Sequence, residues 1–322
     1  MKFYHKSGNF TTDLRLLRIF SQQNLAGLGF GLTLLPFFLY LGIANGSSIT
    51  NKYMKIEGSS VLITGGASGI GKIMGRMALK KGASKLIIWD INPVSIEKAI
   101  NELSPLGPVK GFIVDVSDNE KVTEGYARVV RECGQVDILI NCAGIVTSNK
   151  TFDKQTPEEI VRTININTIA PMFVTRAILP DMLSRNRGHI CNITSAGGML
   201  GNPRMSVYGA SKWGAIGWSD SVRIELQSEK KDVHVTTVAP YYINTGMFDG
   251  VKSKVFPILE PEYVAKRVLR AIEKNTIFEG IPFGLHFIRF CQAILPIRLL
   301  DLIFGEWFGI YHTMDNFTGR KA

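Results

Sequence analysis

The stretch TGGASGIG, residues 64–71, directly follows the apolar run SSVLITGG (59–66) and opens a segment with helical patterning over residues 70–81. In a glycine-rich turn between a strand and a helix, Gly65 permits the tight turn, Gly69 lets the backbone approach a pyrophosphate, and Gly71 lets the helix pack closely on the sheet. The helix N-terminus presents free N–H groups and a partial positive charge. This context predicts a phosphate-binding turn; a glycine-rich turn without a ligand is the alternative.

The alternation of short apolar runs with longer helical stretches continues from Gly58 onward. Strands are predicted at 59–66, 85–90, 109–116, 136–144, 188–195 and 232–240, and helices at 70–81, 93–103, 118–133, 157–185 and 207–228. The strands are rich in Val and Ile and apolar on both faces, as in a parallel sheet covered by helices. The pattern predicts an α/β doubly wound parallel sheet, a Rossmann fold, as a single domain over residues 58–275.

Composition restricts the function classes. The 322 residues are 45% hydrophobic and carry a formal net charge of +10, but no Lys/Arg block with interleaved aromatic residues points to a nucleic acid. The four cysteines (133, 142, 191 and 291) lack the spacing of a metal site or a disulfide framework, so we read them as reduced. Five histidines without a ligand-like pair argue against a metal centre. A basic surface near an anionic membrane is the favoured explanation of the charge.

The N-terminal region contains an apolar run, LAGLGFGLTLLPFFLYLGIA (25–44), and no charged residue lies between Arg18 and Lys52. About 20 apolar residues suffice to cross a bilayer as a helix. We therefore predict a basic segment (1–24), a membrane anchor (25–45) and a linker (46–57). A cleaved signal peptide is disfavoured by the long preceding segment. A hairpin in one leaflet stays open, because Pro36 and several glycines interrupt the run.

Two aspartates close predicted strands at the same edge of the sheet. Asp90 ends the second strand, 19 residues beyond Gly71, where an acid would hydrogen-bond the adenosine ribose. Its carboxylate would repel a 2′-phosphate, and no arginine follows it, so NAD is favoured over NADP. A strand-end aspartate that caps the next turn is the alternative. Asp115 closes the third strand and contacts the adenine side in this reading, or else it caps the helix beginning near Ser117.

The stretch SVYGASKWG (206–214) places Tyr208 and Lys212 four residues apart on one helix face. A neighbouring ammonium favours the phenolate and lowers the tyrosine pKa toward the range of a general acid/base. Taken with TGGASGIG, with NCAG (141–144) and with Ser195 upstream of the tyrosine, the chain resembles the short-chain dehydrogenase/reductase family over residues 58 to about 250. Cys142 stands where the family motif has its second asparagine, and Tyr241 stands where a glycine often follows Pro240.

The resemblance implies a role for each matched residue. Tyr208 is the general acid/base and Lys212 lowers its pKa and holds the nicotinamide ribose. Ser195 hydrogen-bonds the substrate oxygen, and Asn167 positions a water that links Lys212 to solvent. The implied cofactor-binding residues, with Tyr208 and Lys212, are Gly65, Ser68, Gly69, Ile70, Gly71, Asp90, Asp115, Asn141, Ala143, Gly144, Pro240 and Thr245. Tyr241 and Met247 line the substrate pocket or belong to a surface loop.

The C-terminal extension (276–322) is unusually apolar, and we predict amphipathic helices at a membrane interface or over the substrate pocket. With the apolar N-terminus, LIIWDIN, INTGMF and TMDNFTGRK, it resembles the membrane-bound retinol and 17-beta-hydroxysteroid dehydrogenase branch. That branch implies a lipophilic alcohol substrate (retinoid, steroid or long-chain alcohol), membrane lipid as a partner, and a homodimer or homotetramer.

We accordingly expect a membrane-associated protein whose catalytic domain faces the cytoplasm, on the endoplasmic reticulum or a lipid droplet in a eukaryote, or the inner membrane in a bacterium. Two alternatives stay open. One is an NADPH-dependent reductase of a lipid carbonyl of the 3-keto acyl or sphingoid type. The other is a non-catalytic membrane-attached scaffold, against which the complete tetrad argues.

Overall fold

The structure, a computed structural model, describes residues 54–319. They belong to one compact unit that spans Ser47–Ala322. The predicted anchor (25–45) and most of the predicted linker lie outside the described residues. None of the helices formed by residues 54–319 combines the length and apolar character that crossing a bilayer requires.

A seven-stranded parallel sheet forms the centre of this unit. Its strands are β1 (Ser60–Thr64), β2 (Lys85–Asp90), β3 (Val109–Ile113), β4 (Ile138–Asn141), β5 (Gly188–Ile193), β6 (Val233–Pro240) and β7 (Phe278–Ile281). The order in the sheet is β3-β2-β1-β4-β5-β6-β7. The chain therefore winds outward from β1 in one direction and from β4 in the other, which confirms the predicted doubly wound α/β fold.

Strand β7 corrects one boundary. The sequence predicts a last strand at 232–240 and a helical extension from residue 276 onward. In the structure, Thr237 to Pro240 of β6 pair in parallel with Phe278 to Ile281. Only four residues long and bearing a charge at Glu279, this edge strand lacks the apolar run by which the other strands were recognised.

Helices cover both faces of the sheet. They are α1 (Gly69–Lys80), α2 (Pro93–Leu103), α3 (Asn119–Cys133), α4 (Pro157–Ile164), α5 (Ala170–Ser184), α6 (Ser206–Ser228), α7 (Pro261–Glu273), α8 (Gly284–Ile294) and α9 (Ile297–Leu300). The predicted single helix at 157–185 is instead interrupted, because a π-helical turn (Asn165–Ile169) separates α4 from α5.

The two hydrophobic cores follow from strand alternation. Alternate residues of β1 point to opposite faces, so Ile63 packs with α1, α2 and α7, whereas Leu62 packs with α3 and α5. Both side chains are completely buried. Such burial on both faces fixes the register of the sheet and aligns the carboxyl ends of the strands at one edge, where ligands bind in open α/β sheets.

Candidate active site

The turn at Thr64–Gly71 has the close backbone contacts that its glycines predict. Gly65 adopts a φ of +64°, and a Cβ atom there would lie 3.0 Å from the Cα of Ala143. A Cβ at Gly71 would overlap the carbonyl oxygen of Gly65. The hydroxyl of Thr64 accepts hydrogen bonds from the N–H groups of Cys142 (3.0 Å) and Ala143 (3.2 Å). The turn is thus joined to the end of β4.

A cleft of about 350 Å³ opens above this turn at the carboxyl edge of the sheet. We call the part beside Thr64–Gly71 the glycine-turn end, and the part beside Ser195 and Tyr208 the tyrosine end. The structure brings together most of the predicted site residues along this cleft. They are Gly65, Ser68, Gly69, Ile70, Gly71, Asp90, Asp115, Ala143, Gly144, Ser195, Tyr208, Lys212, Pro240 and Thr245, with Tyr241 and Met247.

The carboxylate of Asp90 lies at the glycine-turn end and also organises the backbone there. One oxygen accepts a hydrogen bond from the N–H of Ala67 (3.2 Å), and the other accepts from those of Ile91 (2.8 Å) and Asn92 (3.2 Å). The carboxylate thus caps the turn, and because the same side chain lines the cleft, the capping role is compatible with the predicted contact to a ligand.

Asp115 lies beside the cleft next to a local turn. Its carboxylate accepts hydrogen bonds from the N–H (3.0 Å) and hydroxyl (2.6 Å) of Ser117. Asp118, not Asp115, is the N-cap of α3, since its side chain accepts from the N–H groups of Glu120 and Lys121. Asp115 thus stays at the cleft wall and does not cap the helix.

Asn141 is placed below the cleft and is absent from its lining. Its amide donates to the hydroxyl of Thr175 (3.1 Å) and to the side-chain oxygen of Asn192 (2.8 Å). Asn192 in turn donates to the hydroxyl of Ser219 (2.8 Å). These buried groups join β4, β5, α5 and α6, so the side chain of Asn141 holds the floor of the site.

The π-helical turn positions Asn167, which is buried next to the tyrosine end. Its side-chain oxygen accepts from the N–H of Ile145 (2.8 Å), and its amide donates to the carbonyl of Ile145 (2.9 Å) and the hydroxyl of Ser211 (3.1 Å). All these bonds link the turn to α6 and to the loop after β4. The wider π-helical turn places the side chain of Asn167 between α6 and the loop after β4. Such π-helical turns occur frequently at functional sites.

Tyr208 and Ser195 face each other at the tyrosine end. A hydrogen bond with Ser195 favours the phenolate of Tyr208, but burial outweighs it and raises the pKa of Tyr208 to about 12. The hydroxyl of Ser195 also accepts from the N–H of Gly197 (3.1 Å). The backbone at Gly197 lies close to the ring of Tyr208, since a Cβ at this position would be 3.2 Å from the ring.

The ammonium of Lys212 lies 5.9 Å from the centre of the Tyr208 ring and donates to the carbonyl of Ile193 (3.3 Å). Burial lowers the pKa of Lys212 to about 8. The sequence predicted that this lysine brings the tyrosine pKa below about 10, whereas the tyrosine pKa is raised. Desolvation of the phenolate, which spacing along a helix does not reveal, is the reason.

A second, smaller cavity of about 40 Å³ adjoins the tyrosine end. It shares Ser195, Tyr208, Tyr241 and Phe248 with the main cleft. Its other walls are Ala196, Gly197, Leu200, Asn202, Met205, Tyr242, Leu285, Ile288 and Ile310. Most of these are apolar, and the last three belong to the C-terminal extension.

Polar side chains tie the C-terminal residues to the loops around this cavity. The amide of Asn202 donates to the hydroxyls of Tyr242 (3.0 Å) and Thr313 (2.9 Å). The amide of Asn149, in the loop after β4, donates to the carbonyl of Met314 (2.9 Å). Sequence reasoning missed Asn149, Asn202, Tyr242 and Thr313. Polar residues within an apolar tail were the one available signal, since their partners are 40 or more positions away.

The residues at the cleft fit a dinucleotide. The N–H groups of Gly69, Ile70 and Gly71 are in the first turn of α1, where they have no partner inside the helix. No atom would lie within 4 Å of a Cβ at Gly69, so open space adjoins the backbone at this point. At Gly144 a Cβ would lie only 3.4 Å from the ammonium of Lys212, so this glycine keeps the lysine accessible along the cleft.

Comparison with known proteins matches the short chain dehydrogenase family to residues 59–255. The "Epidermal retinol dehydrogenase 2" of Mus musculus is 34% identical over 280 residues, covering 85% of this chain and 89% of the relative. The "Estradiol 17-beta-dehydrogenase 11" of Pongo abelii is 34% identical over 259 residues, covering 79% and 85%. A short chain dehydrogenase/reductase from Burkholderia phymatum, solved in complex with NAD, superposes with a TM-score of 0.68 at 21% identity, covering 78% of this chain and 96% of the other.

Proposed function

Since the chain belongs to the short-chain dehydrogenase family, whose members act on CH–OH groups with a nicotinamide cofactor, we propose that it interconverts a lipophilic alcohol and its carbonyl compound using NAD. Tyr208 is the proposed general acid/base. The observation that carries this proposal is the convergence of Ser195, Tyr208 and Lys212 on the cleft that contains the glycine turn.

The proposed proton transfer takes place at the hydroxyl of Tyr208. When bound, the nicotinamide supplies or accepts the hydride. Tyr208 takes the hydroxyl proton of the alcohol during oxidation and returns it to the carbonyl oxygen during reduction. A tyrosine pKa of about 12 suits the proton donor in reduction at neutral pH. Ser195 steadies the charge that develops on the substrate oxygen.

Lys212 and Asn167 act on this proton transfer without touching the reacting atoms. With a pKa of about 8, Lys212 is mostly protonated at pH 7. Its charge favours the phenolate form of Tyr208, which is the form that accepts the alcohol proton during oxidation. Asn167 is proposed to order a water beside Lys212. The hydrogen bonds of Asn167 to Ile145 and Ser211 support this role by fixing its side chain.

A preference for NAD over NADP is proposed from Asp90, whose carboxylate lines the glycine-turn end and repels a 2′-phosphate. We expect Asp90→Asn to lower the ratio of kcat/KM for NAD to that for NADP by about tenfold. Asparagine keeps one of the two oxygens that accept from the turn backbone, so it removes the charge while disturbing the turn less than alanine would. Asp153→Asn, at an exposed position outside the cleft, is the control. An unchanged ratio would contradict the role of Asp90.

The lipophilic substrate class is proposed from the apolar walls of the smaller cavity and from the relatives named for retinol and estradiol. Purified full chain should form NADH with members of a panel of retinol, steroid and long-chain alcohols. Failure with the whole panel, despite NAD binding, would overturn the proposed activity. Reduction of 3-keto acyl or sphingoid carbonyls with NADPH alone would support the alternative enzyme. NAD binding without turnover of any alcohol or carbonyl would support a scaffold.

Attachment to a membrane, with the catalytic domain on the cytoplasmic side, is proposed from the uncharged apolar run at residues 25–44. Protease protection of the full chain in sealed membranes tests the orientation. In sealed vesicles whose cytoplasmic face points outward, the protease should digest the catalytic domain directly. Digestion only after the membrane has been permeabilised would contradict the proposed orientation. A homodimer or homotetramer is likewise proposed, and light scattering of the detergent-solubilised chain measures it.

A further inference from the structure

The side-chain amide of Asn202, in the loop between β5 and α6, is held in one orientation by its neighbours. Its nitrogen donates to the hydroxyls of Tyr242 (3.0 Å) and Thr313 (2.9 Å). The hydroxyl of Thr313 donates to the carbonyl of Ile310 (2.9 Å), so the hydroxyl of Tyr242, 3.0 Å away, donates to Thr313. The reverse orientation of the amide would replace these four bonds by at most two, since only the two hydroxyl hydrogens would remain. The amide oxygen therefore faces away from both hydroxyls.

This oxygen is an acceptor without a donor. It is buried and has no hydrogen-bond partner within residues 54–319. Buried carbonyl oxygens are almost always paired in folded proteins, because an unpaired one has lost its bonds to water without replacement. Asn202 is also a wall of the smaller cavity, together with Ser195 and Tyr208. Because its N–H groups are engaged, the oxygen is the polar atom that Asn202 can offer to a molecule in this cavity.

The other polar side chains of the smaller cavity already have partners or a role. Ser195 and Tyr208 are bonded to each other and belong to the reacting oxygen in the proposed function. The hydroxyl of Tyr241 is bonded to a serine hydroxyl in the loop after β6 (2.9 Å), and that of Tyr242 to Thr313. Among the described residues, none of the walls carries a charged side chain. The cavity thus combines a neutral acceptor with apolar walls, a combination that disfavours an ionised group.

A hydroxyl group is the donor that fits this acceptor. An amide N–H would bring its own carbonyl oxygen, and the side chains of the walls have no spare donor for it. A hydroxyl supplies one donor and adds little volume to a group that enters a cavity of about 40 Å³. Ser195 and Tyr208 wall the same cavity, so the second hydroxyl lies only a few carbons from the reacting one.

We propose that Asn202 determines specificity by accepting a hydrogen bond from a second hydroxyl of the substrate, so that the substrates are lipophilic diols. This inference rests on the proposed function and narrows its substrate class. The bonds to Tyr242 and Thr313 fix the oxygen before a substrate binds, so little conformational entropy is lost on binding. A monoalcohol leaves the buried oxygen unpaired, and a site of this kind discriminates strongly against such an analogue.

A series of alcohols tests the inference on the unsubstituted full chain. Turnover with NAD and with NADP is measured for decan-1-ol, for decane-1,2-diol, decane-1,3-diol and decane-1,4-diol, and for the methyl ether of each second hydroxyl. The ethers keep the oxygen but lack the donor hydrogen. We expect kcat/KM for the best diol to exceed that for decan-1-ol and for its own ether by about tenfold, the effect of one hydrogen bond. A difference of less than about twofold for every diol would overturn the proposal.

Asn202→Leu removes the acceptor and should abolish the preference for the diol over decan-1-ol. Asn149→Leu is the matched control. The amide of Asn149 also donates to a C-terminal residue, at the carbonyl of Met314 (2.9 Å), and its oxygen is also buried without a partner, but Asn149 is not a wall of the smaller cavity. The preference should persist in this variant. An equal loss of kcat/KM for diol and monoalcohol in Asn202→Leu would assign Asn202 a structural role and overturn the proposal.

The same measurements separate a failure of this inference from a failure of the proposed function. Turnover of decan-1-ol without preference for any diol would leave the proposed function intact and overturn the role of Asn202. No turnover of any alcohol with either cofactor would overturn both. An acetamido group at the carbon of the second hydroxyl supplies an amide N–H instead. A larger gain from that group than from the hydroxyl would overturn the diol class.

Discussion

At the glycine-turn end of the cleft, five of the eight consecutive residues from Thr64 to Gly71 line the wall, and three of these five are glycines. At the tyrosine end, the walls come from the loops after β5 and β6, from α6 and from the C-terminal helices. Hydrogen bonds between side chains, such as Asn202 to Thr313, hold those separate segments together. One end is therefore encoded locally, whereas the other depends on the completed tertiary structure.

The substitution with the largest expected effect should abolish the chemistry at the tyrosine end and leave cofactor binding at the glycine-turn end intact. Tyr208→Phe should lower kcat by about 10³-fold, since positioned acid/base groups contribute roughly 10²–10⁴. The dissociation constant for NAD, measured by fluorescence titration, should change by no more than about twofold, because the glycine turn is untouched. Tyr263→Phe, an exposed tyrosine of α7, is the control. Turnover within about tenfold of the unsubstituted chain would remove Tyr208 from the proposed mechanism.

Lys212→Met tests whether the buried charge of Lys212, which the proposed mechanism uses, lowers the free energy of unfolding. Burial lowers the folded-state pKa of Lys212 to about 8, below the roughly 10.4 of an unfolded lysine. The unfolded chain thus holds more protons between these pH values, so the free energy of unfolding of the unsubstituted chain rises with pH across this window. The cost of the buried charge is complete below pH 8 and disappears above about pH 10.4.

We expect Lys212→Met to raise the free energy of unfolding by up to about 3 kcal/mol at pH 7, with the gain vanishing near pH 10.5. Urea unfolding of both proteins between pH 7 and 10.5 measures it, while turnover falls. Lys98→Met, an exposed position of α2, controls for the loss of a lysine. A stability difference that is independent of pH would show that the lysine charge is not the cause.

Gly71→Ala addresses the glycine-turn end. An added Cβ would overlap the carbonyl oxygen of Gly65, which has no freedom to move away. We expect a loss of about 1–3 kcal/mol in stability and a weaker NAD affinity, measured by urea unfolding and by titration. Gly217→Ala on α6 is the control, since its Cβ meets open space and alanine favours a helix. NAD affinity equal in both variants would contradict the close-approach argument.

The sequence could predict the glycine-turn end because its requirements are local. Strand, turn and helix follow one another in residues 59–81, and Gly71 is required by the carbonyl oxygen of Gly65 within that same turn. The doubly wound sheet was predictable for a related reason, since strands such as β1 and β2 are apolar on both faces.

The tyrosine end was predictable only in part. Tyr208 and Lys212 share a helix, but the pKa of Tyr208 depends on burial by distant segments. The spacing of residues 157–185 conceals the π-helical turn that directs Asn167, and the exclusion of Asn141 from the cleft depends on Thr175 and Asn192. Such effects arise from tertiary contacts, which hydrophobic periodicity does not contain.

The substitution with the smallest expected effect tests whether the hydrogen bonds between distant segments determine the structure of the tyrosine end without affecting the glycine-turn end. Thr313→Val removes the hydroxyl that joins Asn202 to Tyr242, at a cost of about 1 kcal/mol. The walls of the smaller cavity should loosen, so KM for a long-chain alcohol should rise a few-fold while NAD affinity stays constant. Steady-state kinetics and titration measure both, with Thr123→Val, exposed on α3, as the control. An equal weakening of NAD binding would mean that the two ends are coupled, because a change confined to the substrate walls leaves the backbone of Thr64–Gly71 in place.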